Sequence, residues 1–181
     1  MLPDVLIKKY LKSKKIIIKP APKPGDFKSV GVKMHLGEEL LLPQGRQRIN
    51  LSQDEPPKFK KIKIGRAGYL LKPGAFILGT TKEVYQVKRD IAGLIDGRST
   101  LAHLGLTIHG TSAVVEGNYD HLGSITLEIK NQGPFELILK AGMSIGMLVF
   151  FELRAPVNKE QHFHYRGQIS TMSPDLKSLR D

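Results

Sequence analysis

The stretch Asp96-Gly97-Arg98-Ser99-Thr100-Leu101-Ala102-His103-Leu104-Gly105-Leu106 carries the densest set of groups able to hold an anion. A tight glycine turn feeds a short helix for which Ser99 is the expected N-cap. The backbone N–H groups of such a start, with Arg98 and Ser99 beside them, suit a phosphate. An ordinary structural turn is the alternative reading of Gly-Arg-Ser-Thr on its own. A second candidate is Glu128, flanked by apolar Leu127 and Ile129; taken alone, this is an outward residue of an alternating strand. Near the end, Gln161-His162-Phe163-His164-Tyr165-Arg166-Gly167-Gln168 gathers further polar groups. His162 and His164 lie two apart and could share one face of an extended strand. Two histidines without a nearby carboxylate make a poor metal site, and exposed tail residues are the plainer reading.

These groups need elements to position them. Asp4 can cap a short helix in which Leu2, Val5, Leu6, Tyr10 and Leu11 fall near one face, before Lys12 to Lys15 give way to Ile16-Ile17-Ile18. Pro20, Pro22, Pro24 and Gly25 form a stiff, turn-prone segment leading to Val30–Leu36, where Val32, Met34 and Leu36 alternate with polar residues. Short apolar or alternating pieces follow at 40–42, 49–51, 58–64, 69–71 and 75–78, each separated by Pro- or Gly-bearing turns. The rhythm continues at 84–87, 106–109, 113–115, 124–130, 135–139 and 144–151, and only 99–104 reads as a further helical turn. Many short strands with turn punctuation predict a β-sandwich or barrel. From Pro156 the periodicity fades, so we expect one domain over 1–156 and a tail over 157–181 that is disordered or ordered only on a partner or ligand.

A chain of 181 residues, 40% hydrophobic and 25% charged, is enough for one substantial core. With no cysteine, disulfides and thiolate metal sites are excluded, so any metal must rest on oxygen or histidine. Met1–Tyr10 has no apolar signal core and no run approaches the roughly 20 apolar residues of a membrane helix, so a cytoplasmic soluble protein is the expectation. Lys plus Arg exceed Asp plus Glu by 28 to 17, a formal charge of +11 that favours polyanions; nucleic acid, anionic lipid and nucleotide phosphates all stay open on charge alone. The runs Lys8–Lys19 and Lys58–Lys63 hold much of the excess, with a solvated face as the plain reading.

The 96–106 stretch resembles the Gly-Arg-Ser-Ser-Leu-Ala-Arg-Leu-Gly-Leu element of dCTP deaminases and, more loosely, the second motif of trimeric dUTPases. The likeness continues in order. His109-Gly110-Thr111-Ser112-Ala113-Val114-Val115-Glu116 is similar to His-x-Thr-Ala-Gly-x-Ile-Asp, and Gly123-Ser124-Ile125-Thr126-Leu127-Glu128 to Gly-x-Ile-Thr-Leu-Glu. Ala141-Gly142-Met143-Ser144-Ile145-Gly146-Met147-Leu148 resembles Pro-Gly-Met-x-Ile-Gly-Gln-Leu, and Tyr165-Arg166-Gly167-Gln168 resembles the Tyr-x-Gly-Gln element that closes over a triphosphate. The resemblance implies a mainly β subunit, a distorted jelly roll or β-clip-type barrel of the dUTPase-like fold with short helices. It also implies a homotrimer with active sites between subunits, and Mg2+ bound with the nucleotide triphosphate.

By that resemblance the catalytic residues are Glu128, Glu116, Ser99 and His103. Glu128 is the matching base, since a carboxylate in a partly dry site can activate water for attack at C4 of cytosine. Substrate contacts are implied for Arg98, Ser99, Thr100, Thr111, Ser112, Glu116, Tyr119, Tyr165 and Gln168, with Glu116 and Tyr119 toward the deoxyribose. Zinc is not expected, because the Pro-Cys-x-x-Cys element of zinc deaminases requires cysteine. The sequence departs from the pattern at His103, where a second arginine is usual, at Glu116 and Lys33 in place of aspartates, and at His164 in place of a lysine. Two extra residues near Asp120 and His121 lengthen the loop before Gly123. Deamination of dCTP to dUTP and ammonia is the first expectation, continuing to dUMP and diphosphate in a bifunctional case. A dUTPase, favoured by Glu116, Tyr119 and the missing arginine, is the alternative, and a catalytically silent nucleotide-binding relative is the third. The expected partners are dCTP or dUTP and further copies of the chain, not membrane or nucleic acid.

Overall fold

The computed structural model describes residues 1–53, 55–115, 121–157 and 167–179. The chain opens with helix α1 (Asp4–Lys12) and strand β1 (Ile16–Lys19), then runs through β2 (Phe27–Lys28), β3 (Gly31–His35), β4 (Glu39–Pro43), β5 (Phe59–Lys63), β6 (Tyr69–Leu71), β7 (Phe76–Thr80) and β8 (Val84–Val87). It continues through β9 (Ile91–Asp96), helix α2 (Ser99–His103), β10 (Leu106–Thr107), β11 (Val114–Val115), β12 (Thr126–Asn131), β13 (Leu137–Leu139) and β14 (Ser144–Glu152). Among the described residues these build two five-stranded sheets, ordered β10-β12-β7-β4-β5 and β11-β9-β14-β3-β2, and two strand pairs, β1-β8 and β13-β6. Every pairing is antiparallel. The mainly β architecture with few, short helices is the one the sequence predicts.

Both large sheets feed one core. Val32 and Met34 of β3, Ile91 and Ile95 of β9, and Leu148 and Phe150 of β14 join Leu40 of β4, Ile77 of β7, and Leu127 and Ile129 of β12 in a single buried cluster. Alternation explains the partition, because successive strand side chains take opposite faces. In β12, Leu127, Ile129 and Asn131 are buried while Thr126, Glu128 and Lys130 lie on the other face. The lysine-rich β5 is an outer strand of its sheet with Lys60 and Lys61 exposed, the solvated face expected of that run. Charged side chains there discourage edge-to-edge pairing.

Several expectations need correction. Pro3, not Asp4, occupies the N-cap of α1, and the Asp4 carboxylate instead accepts from Lys8 Nζ at 2.6 Å. Ile7 is the fully buried residue of this helix, whereas Val5 is exposed, because the Leu2 N–H is bound to the Phe150 carbonyl and sets the helix rotation. Residues 49–51 form no strand; they belong to the long connection between β4 and β5, where Leu51 is exposed. Strand β9 is the converse case. It lies between β11 and β14, a central position that the sequence reading passed over. In the tail, residues 167–179 pack on the chain's own body, with Gln168, Thr171 and Leu176 buried and a 3-10 turn at Leu176–Leu179.

The N-terminal elements are tied to the end of β14 by charge. Lys15 Nζ lies 2.7 Å from Asp90 Oδ2 and 2.9 Å from Glu152 Oε1, and the Tyr10 hydroxyl donates to the same Glu152 oxygen at 2.8 Å. Lys15 and then Tyr10 hold the Glu152 carboxyl below its usual value. Asp90 and Glu152 in turn push the Lys15 ammonium upward. Elsewhere, the turn after α2 passes so close to the 131–133 corner that a side chain on Gly105 would strike the Gly133 backbone, and one on Gly133 would strike the Leu104 carbonyl. Gly105 also has a φ of +82°, which only glycine adopts without strain.

Candidate active site

The segment from Asp96 to Gly110 leaves β9, turns through α2 and returns along β10 to meet β12. Leu106 and Thr107 pair with Asn131 and Lys130, and Glu128 N donates to the Ile108 carbonyl at 2.8 Å. This pairing brings Gly110 over the Glu128 side chain, and Glu128 Oε2 accepts from Gly110 N at 2.5 Å. Glu128 is half-buried on the face of β12 that turns away from the core. It is therefore an outward strand residue, as strand alternation alone suggests, but what it faces is a backbone donor. A hydrogen bond to one carboxylate oxygen fixes the other where a water could be held.

Next to this pair, His109 Nε2 approaches Asp96 Oδ1 at 3.5 Å, while Asp96 Oδ1 accepts from Gly97 N at 2.7 Å. His109 Nδ1 is buried and without a partner among the described residues. Arg98 is half-buried and its Nη1 donates to the Ser144 carbonyl at 3.4 Å. Arg98, not Ser99, is the N-cap of α2, which corrects the capping role assigned to the serine; Ser99 is the first helical residue, with its side chain exposed. Ser99, Thr100 and His103 are all exposed along α2. The first N–H groups of a helix have no partner within it and remain available to an anion.

Thr111 and Ser112 are exposed in the loop that follows Gly110. Gln168 is buried at 7% exposure; its Nε2 donates to Thr126 Oγ1 at 2.5 Å and its carbonyl accepts from Ser124 N at 2.7 Å. Thr126 is two residues from Glu128 and on the same strand face. Glu116, Tyr119 and Tyr165, together with His162 and His164, lie outside the described residues. Asp96, Arg98, His109 and Gly110 thus lie along one continuous segment, Gly110 meets Glu128 of β12, and Thr126 of the same strand face meets Gln168. Among the described residues, no hydrogen bond or ion pair links Glu128 to Arg98, Ser99 or His103. A separate cavity of about 410 Å³, lined by Leu36, Gly37, Lys63, Thr80, Lys82 and Ser170 among others, contains none of the predicted site residues.

Gly110, Thr126, Asp96 and Ser144 carried no assigned role in the sequence reading. For Thr126 a signal was present, since a residue two before Glu128 must share its strand face. For Gly110, Asp96 and Ser144, nothing local marks the contact, which depends on pairing between distant strands.

A family model described as dCTP deaminase-like matches residues 1–153. A protein of Dictyoglomus thermophilum named dCTP deaminase, dUMP-forming, is 35% identical over 161 residues, spanning 86% of this chain and 82% of the relative. One of Idiomarina loihiensis named dCTP deaminase is 31% identical over 192 residues, spanning 98% and 97%. The crystal structure of a 2'-deoxycytidine 5'-triphosphate deaminase from Agrobacterium tumefaciens superposes with a TM-score of 0.63 at 14% identity, over 82% of this chain and 47% of that one, a likeness of fold. With its fold and its 96–128 segment both matching, the chain belongs to the dCTP deaminase-like family.

Proposed function

We propose that this chain hydrolyses dCTP to dUTP and ammonia, with Glu128 as the proton-shuttling base. The observation that carries the reading is the Glu128 carboxylate on the non-core face of β12, pinned through Oε2 by the Gly110 N–H, in a chain of this family. In this reading Glu128 takes a proton from water as its oxygen attacks C4 of the cytosine ring. It then returns that proton to ring N3, and the proton of the new C4 hydroxyl passes through Glu128 to the 4-amino group, which leaves as ammonia as the C4 carbonyl forms. The balance is one dCTP and one water giving one dUTP and one ammonia. Arg98, Ser99 and Thr100 hold phosphate oxygens through a guanidinium, hydroxyls and helix-start amides, with His103 at the far end of the same helix. Thr111 and Ser112 border the nucleotide, Glu116 and Tyr119 contact the sugar, and Tyr165 and Gln168 close on it from the tail. The body is 1–156 and the tail 157–181.

Magnesium enters with the triphosphate. The donors around Arg98 suit an anion, which fits an ion held by phosphate oxygens. Bound there, it would neutralise phosphate charge. Zinc is not part of the reading, since the chain has no cysteine for the zinc deaminase element. A homotrimer with sites between subunits belongs to the same reading, supported by membership of the dCTP deaminase-like family. No helix of the described residues is long and apolar enough to cross a membrane. A nucleotide substrate supports action in the cytoplasm.

A second reading is favoured by the 35% identical relative whose name is dUMP-forming: dUTP made in the site is hydrolysed onward to dUMP and diphosphate. The test is chromatographic product analysis after incubating the protein with magnesium and, separately, dCTP and dUTP. Conversion of dCTP to dUTP or dUMP sustains the deaminase reading, and the dUTP sample decides the second activity. Consumption of dUTP alone makes the protein a dUTPase that retains a deaminase-like glutamate. Turnover of neither makes it a silent nucleotide-binding relative.

A further inference from the structure

Residues 121–126 form a stiff frame at the entrance to β12. Gly123 N and O both bond Tyr85, Thr81 N donates to the Ile125 carbonyl at 2.9 Å, and Ile125 N donates to Thr81 Oγ1 at 3.0 Å. Ser124, at 8% exposure, sits in the middle of this frame with both of its donors aimed at one acceptor. Its N–H lies 2.7 Å and its hydroxyl 3.2 Å from the Gln168 carbonyl. Three residues on, Thr171, at 4% exposure, donates its hydroxyl to the Glu39 carbonyl of β4 at 3.3 Å, and Leu176 is buried beyond it. The tail is therefore held at two points, on the segment that leads into β12 and on β4, with Gln168 at the first.

We propose that Ser124 and Thr171 are positioning residues that set the register of the tail, so that the Gln168 amide faces Thr126, one pleat from Glu128. This rests on the reading that Gln168 touches the nucleotide. The reasoning is one of preorganisation. A substrate contact carried on a tail must otherwise be ordered each time substrate binds, and anchors built on rigid strands remove that cost. The contacts of Ser124 and Thr171 are to the chain's own atoms, which predicts protection of the Ser124 amide before nucleotide is added.

Thr171→Val removes the hydroxyl and keeps the shape, while Thr171→Ser keeps the hydroxyl and guards against a merely misfolded variant. Two readouts are needed: amide hydrogen exchange of the peptide containing Ser124 without nucleotide, and the split of KM and kcat for dCTP. The expected result is slow exchange at Ser124 in the native chain and faster exchange in Thr171→Val. With it should come a rise in KM of roughly 3- to 10-fold, as one hydrogen bond is worth, with kcat within about 2-fold. Thr171→Ser should restore both. Fast exchange at Ser124 in the native chain, or a Thr171→Val variant with unchanged exchange and KM beside a Gln168→Ala variant with raised KM, overturns the positioning role alone. If Gln168→Ala also leaves KM unchanged, the assignment of Gln168 to the substrate falls, and the positioning role with it.

Discussion

Gly110→Ala is the sharpest test of the proposed base. A Cβ on residue 110 would lie 3.0 Å from Glu128 Oε2, where ordinary contact begins at 3.4 Å, so the carboxylate must retreat by about 0.4 Å. Residue 110 is not among the glycines of positive φ, so alanine meets no backbone strain there. A misplacement of about 1 Å costs roughly 100-fold in rate, and on a logarithmic scale about 0.4 Å costs roughly 6-fold. We therefore expect kcat for dCTP deamination to fall about 6-fold with KM and Tm little changed, measured by ammonia release and by thermal unfolding. Glu128→Gln, which removes the base, should cost roughly 100- to 10,000-fold in kcat. Because Gly110→Ala acts only through Glu128, adding it to Glu128→Gln should cost nothing further, a test of coupling that single variants cannot give. Full activity in Gly110→Ala, or two losses that simply multiply, would refute the claim that Gly110 orients the base.

Arg98→Lys keeps the charge but loses the planar fork, so KM should rise roughly 10- to 100-fold with kcat less affected; an unchanged KM removes Arg98 from the phosphate site. Ile7→Ala hollows a fully buried position and should cost about 2–5 kcal/mol, or roughly 5–15 °C in Tm, whereas Val5→Ala on the exposed side should leave Tm nearly unchanged. Glu152 has a depressed carboxyl pKa, so its contribution to stability is complete above its ordinary value of 4.5 and is lost as pH falls through the lower folded value. The Tm difference between the native chain and Glu152→Gln should thus be present at neutral pH and shrink below about 4.5; a difference that widens on acidification contradicts the assigned cause.

Strands whose faces differ clearly were legible in the sequence. β6 and β8 run over the residues expected, and in β3 the buried Val32 and Met34 alternate with the less buried Lys33 and His35. β9 was not, because Gly93 and the Asp96-Gly97 end weaken its strand signal. A Cβ at Gly93 would sit in ordinary contact with Leu148 and Val115, so glycine weakens the strand signal there without being sterically required. At both helix starts the cap lies one residue before the expected one, and the Asp4 carboxylate is taken up by Lys8 one turn on within the same helix. The tail escaped because it docks by one carbonyl and three buried side chains, which leave no periodic stripe. Within the candidate site, Glu128 could be placed on a strand face from its neighbours alone. Its partner Gly110 could not, being eighteen residues away and joined only by the pairing of β10 with β12.

The contact of Gly105 with the 131–133 corner has an evolutionary side. Neither position has room for even a methyl group while the other strand of chain stays where it is, so no single substitution at either one is a small step. Relief would require both segments to part, and α2 with its Arg98 and Ser99 would move with them. A lineage altering this corner would have to rebuild the helix proposed to hold the phosphates in the same event, which makes the two glycines a gate on how far the site can drift.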